Sequence, residues 1–461
     1  MLANKRRMSH LQEQLAALRL RMARTLEECV EKYEKPDSTG VASTSAPRRF
    51  HLHEWLPGQE METEQGKHFE TETFYANHRR HGSADIGSLG DLPGDLLTTL
   101  SAGAIADVPP DQWAFLDTET TGLAGGTGTC AFLVGVGRIT PEGFRVRQFF
   151  MRDYGEEASV LAALTRHLEQ FRVLITYNGR SFDQPLLETR YRMNRARPPF
   201  ARFEHLDLLY GARRLWKLRF ESCRLVDLEQ QILGFERHGD VAGALIPYVY
   251  FEYVRTGEMA RLLPVFHHNA TDILTLACLT GIVPYAFNDP AGAFLNSAAP
   301  PRHGAEMAGI ARWLRQAGEL EQAAALFRRA METNLADDLL FRTLWDLAAI
   351  EKKLGNDSAA LEVWNDLAGS QNPFQARAYE ELAKHYEHCE KNPERALAMT
   401  RGAQALDDTA ELRKREERLL QRLRPPRAAR VPRTNTRSTN ATPRRRTAGP
   451  ARGLPAIAPS P

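Results

Sequence analysis

At 461 residues the chain exceeds what one hydrophobic core usually holds, so two or three domains are expected. Its 43% hydrophobic and 26% charged residues are those of a soluble globular protein. The net charge of +2 hides an asymmetry: from Arg424 to the end there are nine arginines and no acidic residue, so the body before that tail is mildly acidic.

Five widely spaced cysteines, odd in number and without a Cys-x-x-Cys pair, argue against a disulfide framework and a zinc site and point to a reducing cytoplasm. No apolar run reads as long enough to cross a bilayer, so no membrane partner is expected. Lys5, Arg6 and Arg7 lead into no apolar core and do not form a secretory signal.

In chain order, residues 1–36 read as an N-terminal helix, with Leu11, Leu15, Leu18 and Met22 at helical spacing and Pro36 ending the run. Residues 37–47 form a linker rich in Ser, Thr, Gly and Pro. Residues 48–100 carry strand-like pieces such as His68–Tyr75 and read as a small β-rich element abutting the next domain.

Residues 101–287 form an α/β domain. Trp113–Leu116, Ala131–Arg138 and Phe144–Met151 read as three strands in a meander, followed by a helix over Glu156–Phe171 and a strand at Val173–Tyr177. A helix over Phe182–Asn194, a short strand at His205–Leu208 and helical patterns to about Val283 complete it. The order predicts a mixed sheet flanked by helices. Residues 302–422 are helical throughout: Ala317–Phe327 is echoed from Leu354 and again from Asn392. The Arg- and Pro-rich tail, 423–461, cannot bury a core and is expected to be disordered, with a salt-sensitive attraction to nucleic acid.

The chemistry lies in the α/β domain. Asp117 and Glu119 end the first strand, and residues two apart in an extended chain share a face. Two carboxylates side by side repel each other, and a hard divalent cation is their usual partner. Asp183 follows the strand Val173–Tyr177 in Asn178-Gly-Arg-Ser-Phe-Asp183, and Asp272 ends His267-His268-Asn269-Ala-Thr-Asp272. Four such carboxylates suffice to hold two cations roughly 4 Å apart, the arrangement that cleaves phosphodiesters.

Asp-x-Glu, then Asn-x-x-x-Phe-Asp, then His-Asn-x-x-Asp, in this order and spacing, resembles the DEDD group of 3′–5′ exonucleases with a ribonuclease H-like fold. The wording around the three motifs is closest to the bacterial YprB-like branch, over roughly residues 110–285. The resemblance implies two Mg2+ or Mn2+ ions, with Asp117 bridging both, Glu119 and Asp272 on one, and Asp183 on the other. It also implies a general base. His268, four residues before Asp272, shares its helical face, whereas His267 diverges by about 140°. If Asn269 instead caps the helix, His267 can swing in from the preceding loop. The implied substrate contacts are Thr118, Gly122, Leu123, Asn178 and Phe182, although Asn178 can equally cap the turn it sits in.

The loop Gly122–Gly128 lacks the Gly-Lys-Ser/Thr ending of a P-loop and is followed by a strand, so it is read as a close approach for a nucleotide. Asp207 reads as structural. Arg213, Arg214, Lys217 and Arg219, beside Trp216 and Phe220, read either as a phosphate and base contact or as a solvated helix face over buried aromatics. The C-terminal helices resemble tetratricopeptide repeats, which implies a protein partner. The expected function is a cytoplasmic, metal-dependent 3′–5′ exonuclease on single-stranded DNA or RNA. The alternatives are a non-catalytic nucleic-acid-binding scaffold and a structure-specific endonuclease.

Overall fold

The computed structural model describes residues 52–122, 128–290 and 303–424. The expected N-terminal helix and linker, Leu123 with most of the Gly-rich loop, and the tail from 425 onward lie outside the described residues.

The chain opens with a hairpin, β1 (Gly58–Thr63) and β2 (Gly66–Ala76), and a short ribbon, β3 (Arg80–His81) and β4 (Ala84–Asp85). The meander β5 (Trp113–Thr120), β6 (Ala131–Thr140) and β7 (Gly143–Phe150) follows. Then come α1 (Glu157–Leu168), β8 (Val173–Thr176), α2 (Asp183–Met193), β9 (Glu204–Asp207) and α3 (Leu208–Trp216). A short α4 (Leu225–Leu228) runs into a π-helical turn at Glu229–Leu233, followed by α5 (Ile246–Thr256), α6 (Leu263–Thr280) and α7 (Val283–Asn288).

Seven strands form one mixed sheet in the order β1-β2-β7-β6-β5-β8-β9. The β5–β8 and β8–β9 pairs are parallel and the others antiparallel. This is the expected ribonuclease H-like architecture, but segment 48–100 does not abut it as a separate element. β2 pairs with β7 from Phe69↔Phe150 to Ala76↔Gly143 and continues the sheet. An unpaired β7 edge would leave a row of backbone donors and acceptors open, and β2 satisfies them. Buried His68 fixes the hairpin on α1, its Nδ1 2.8 Å from Ser159 Oγ and its Nε2 2.9 Å from Glu70 Oε1.

Both faces of β5 are covered, which explains its unbroken apolar run. Trp113 and Phe115 join one core with α3 and α6, while Ala114 and Leu116 join another with α1 and α5. Alternation therefore turns Asp117 and Glu119 toward α6. Opposite Asp117 and Phe115 on β6 stand Gly135 and Gly137. A Cβ on Gly135 would lie 2.2 Å from Asn269 Oδ1 and 2.3 Å from Ile273 Cδ1. The missing side chains let α6 settle directly on the sheet beside the carboxylates.

The span Leu263–Asn288 reaches a mean hydropathy of 1.5 over 18 residues, which by length and composition is enough for a bilayer. This corrects the expectation that no run reaches that length. The window is 78% buried within the protein, as a core helix over β5, β6 and β7 must be.

Beyond residue 303 the chain is helical: α8 (Gly304–Ala317), α9 (Leu320–Met331), α10 (Asp337–Lys353), α11 (Asp357–Gly369), α12 (Gln375–His388), α13 (Pro393–Gln404) and α14 (Ala410–Leu423). α8 packs with α9 and α10 with α11 as helical hairpins. The expected separation of 101–287 from 302–422 does not divide two cores. α8 lies against α3, and Met307, Ala308 and Phe327 belong to the same cluster as Trp113 and Phe115. The division into compact units falls later, between 1–382 and 383–461. Within the second unit Ala396, Leu397 and Leu419 form a small core, and buried Glu387 accepts from Arg418 at 2.8 Å.

Gly135→Ala should lower stability by about 1–3 kcal/mol, because a methyl group there overpacks the β6–α6 contact. Thermal melting measures it. A variant as stable as wild type would show that α6 does not depend on this approach.

Candidate active site

The cleft is built at the ends of two strands. β5 delivers Asp117 and buried Glu119, and a register shift between Glu119 and Thr120 ends its regular pairing there. β8 ends at Thr176, and the loop after it opens α2 at Asp183. α6 supplies His268, Asn269 and Asp272. The cleft of about 610 Å³ is lined by Thr118, Glu119, Gly122, Phe182 and Asp183 among others, with Gly243 and Ile246 opposite.

Of the four sequence-predicted carboxylates, Glu119 and Asp183 line this cleft, and Asp117 and Asp272 stand beside them, close enough for the four charges to act on one another. Thr118 Oγ1 donates to Asp183 Oδ1 at 2.5 Å. Asn269 Nδ2 donates to Asp117 Oδ2 at 2.8 Å, and Gln148 Nε2 holds Asn269 in turn at 2.9 Å. Asp272 is ion-paired with Arg237.

α6 begins at Leu263, so Asn269 lies inside the helix, which removes the reading of Asn269 as its cap. His268 is buried, with Nε2 3.5 Å from Asp272 Oδ2 and 4.0 Å from Glu119 Oε1, whereas His267 is exposed. The helical geometry therefore brings His268 and not His267 to the carboxylates.

Of the other predicted contacts, Thr118, Gly122 and Phe182 line the cleft, and Phe182 is 55% exposed. Asn178 lies elsewhere. It adopts a left-handed φ of 68° and lines a neighbouring cavity beside Arg213. Its backbone N–H donates to Asp207 Oδ1 at 2.7 Å, and the N–H groups of Arg180 and Leu209 also donate to the Asp207 carboxylate. Asp207 thus anchors the loop and caps α3, in keeping with a structural role.

Sequence reading missed two residues. Asp240 accepts a hydrogen bond from His268 Nδ1 at 2.8 Å and so fixes the ring with Nε2 toward the cleft. Arg237, almost wholly buried, bridges Asp272, Asp240 and Glu229. Both come from the coil between α4 and α5, where no periodicity marks them. Only the pattern Arg-His-Gly-Asp, polar inside a largely apolar half-domain, carried a signal.

Electrostatics describe a site short of positive charge. Burial, with Asp272, Asp183 and Glu119 nearby, pushes the Asp117 carboxyl well above its ordinary range. Burial lifts Glu119 to about 8, with His268 opposing and Asp272 and Asp183 adding to it. Burial lifts Asp183 to about 6 against the hydrogen bond from Thr118. Burial works to lower His268, but Asp272, Asp240 and Glu119 prevail and hold it at about 10.

Among the described residues no three His, Cys, Asp or Glu side chains are grouped so as to hold an ion in their present rotamers. The carboxylates are engaged instead with Thr118, Asn269 and Arg237. The donor set nevertheless fits a divalent ion: hard oxygen ligands, Glu119 and Asp183 buried and Asp117 and Asp272 half-buried, repelling one another, with one guanidinium in partial compensation.

Fold and site together define a class. A family model of the RNase_H superfamily matches residues 114–283, which span the carboxylates and the histidine. A domain of this class points to a nuclease hydrolase acting on nucleic acid, and nucleases of this class generally use divalent metal ions, typically Mg2+. The chain is also 34% identical over 352 residues to the uncharacterized protein YprB of Bacillus subtilis (strain 168), covering 75% of this chain and 82% of that protein. It belongs to the YprB family.

Cation-free protein should lose stability as pH rises. A Glu raised from 4.5 to about 8 keeps in the fold a proton that the unfolded chain has released, so stability falls across that interval. A His raised from 6.5 to about 10 gives stability that is full below 6.5 and lost as pH climbs through 10. In chelator, Tm should therefore decline from about pH 5 to about pH 9, and Glu119→Gln should flatten the decline. A Tm independent of pH in chelator contradicts this electrostatic account.

Proposed function

We propose that the protein is a metal-dependent 3′–5′ exonuclease acting on single-stranded DNA or RNA. The observation that carries this reading is the grouping of Asp117, Glu119, Asp183 and Asp272 within reach of one another's charge, with Glu119 and Asp183 lining the cleft and His268 beside Glu119 and Asp272. Polarity rests on the resemblance of the three motifs to those of the DEDD exonucleases.

Asp117, Glu119, Asp183 and Asp272 would hold two Mg2+ or Mn2+ ions. Bound there, such ions supply charge stabilisation for an in-line displacement at phosphorus. The chain's own residues do the rest. His268, steered through Nδ1 by Asp240, presents Nε2 to the cleft and takes the proton from the attacking water. The phosphorus–oxygen bond to the leaving nucleotide breaks as the new one forms. Cations on Asp272 and Glu119 would remove two of the charges that raise His268, which favours the neutral ring a general base needs, while Asp240 keeps its hold on Nδ1. Exposed Phe182 offers a ring on which a terminal base stacks.

The C-terminal helices fit tetratricopeptide-like units that hold a protein partner. In support, two helical hairpins begin 33 residues apart, at Gly304 and Asp337. The four described cysteines are all free, which accords with a cytoplasmic location.

The test is an assay with Mn2+ or Mg2+ on 5′-labelled single-stranded DNA and RNA. The expected product is a ladder shortening by one nucleotide, absent with EDTA and with Asp117→Ala. Asp240→Asn should lower kcat roughly 10- to 100-fold and reshape the pH profile, as loss of a steered general base does. A single internal cut would overturn the exonuclease reading. No cleavage of either polymer with binding retained would favour a binding protein.

A further inference from the structure

The basic stretch at the end of α3 divides into two parts. Trp216 is buried and donates Nε1 to Glu306 Oε1 at 3.0 Å, and Arg219 pairs with the same carboxylate at 2.7 Å while covering the Phe220 ring. These residues fasten α3 to α8 through Glu306. Arg213, Arg214 and Lys217 differ. All three are exposed, and among the described residues their side chains have no hydrogen-bond or ion-pair partner. Most other arginines along this domain are tied to a carboxylate, including Arg145, Arg152, Arg190, Arg224 and Arg237.

The position of the free cations gives them a use. Arg213 and Lys217, four residues apart on one helical face, line a cavity of about 560 Å³ together with Tyr177, Asn178 and Ser222. Arg224 also lines it but is neutralised by Asp227 at 2.7 Å, and Glu221 is its acidic member. Tyr177 and Asn178 begin the loop whose far end, Ser181 to Asp183, lines the carboxylate cleft. One loop of seven residues thus separates the two cavities. Asp207 holds that loop rigid through the N–H groups of Asn178 and Arg180. The left-handed Asn178 turns the backbone between the cavities.

We propose that Arg213 and Lys217 form a phosphate-binding track for the sugar–phosphate backbone of a polynucleotide, on the strand that continues from the nucleotide held in the carboxylate cleft. The inference rests on the nuclease reading for the identity of the strand. One guanidinium and one ammonium group beside an open cavity suit successive phosphates, and they carry no information about base identity. On a body with net negative charge, such a pair is where a polyanion can dock. Recognition by this track is independent of sequence and weakens with salt.

The test uses the full chain in an Asp117→Ala background, with Mn2+ and a fluorescein-labelled 20-nucleotide single-stranded DNA, read by anisotropy across a salt series. Arg213→Glu combined with Lys217→Glu should raise Kd at least tenfold at low salt. The milder Arg213→Gln with Lys217→Gln should lower the slope of log affinity against log salt by roughly 1.4, about 0.7 for each lost phosphate contact. The difference between variants isolates the track from the nine-arginine tail, which all of them share. Both variants should melt with wild type, since neither side chain has a partner to lose. Equal Kd and equal salt slope in both would overturn the proposal, as would absence of strand binding by the parent. Cleavage by the otherwise wild-type chain, measured alongside, separates the two failures. Cleavage with unchanged binding in the variants removes the track alone. Track-dependent binding without any cleavage removes the nuclease reading and leaves a strand-binding site.

Discussion

Buried like charges govern this structure. Asp117, Glu119 and Asp183 stand together, half-buried or buried at one cleft, and each is pushed toward its protonated form. A fold tolerates such a cluster only if the scaffold around it forces the side chains to converge and supplies part of the missing positive charge. The scaffold part is the β5–β6 ladder with α6 pressed onto it. Glycines at 135 and 137 remove the side chains that would hold the helix away, so Asn269 reaches Asp117 and the ladder and helix become one rigid frame. The charge part is Arg237, which ties Asp272 and Asp240 to a second buried carboxylate, Glu229.

That guanidinium links the cleft to the periphery. Glu229 also accepts from Thr275 and lies 3.1 Å from His81 Nε2 on the β3–β4 ribbon. The ribbon, the π-helical turn and α6 are therefore joined through one polar network beneath the site. Its members satisfy one another's hydrogen bonds, as buried polar groups must. If Asp272 serves as a metal ligand, as proposed, the residue that pairs with it in the cation-free fold would compete with the ion for it.

Much of this was legible in the sequence because it follows from local rules. The alternation at the end of β5 places Asp117 and Glu119 on one face, and the four-residue spacing places His268 with Asp272 once α6 is known to start upstream of Asn269. What escaped was set by long-range pairing. The β1–β2 hairpin carries the pattern of a strand pair, but nothing local says that it will extend the β7 edge. The expected boundary between 101–287 and 302–422 follows the local pattern, yet α8 buries its apolar face in the core of the α/β domain, as Trp216 and Glu306 show. Asp240 and Arg237 sit in irregular chain, where position is decided by tertiary contacts and not by period.

The most direct test of the central claim is anomalous diffraction from crystals of the protein soaked in Mn2+. The account predicts manganese density among Asp117, Glu119, Asp183 and Asp272, with Asp272 turned away from Arg237. A map without manganese at saturating concentration, and with the Arg237–Asp272 pair intact, would contradict it and leave the cluster a charged core held together by Arg237 alone.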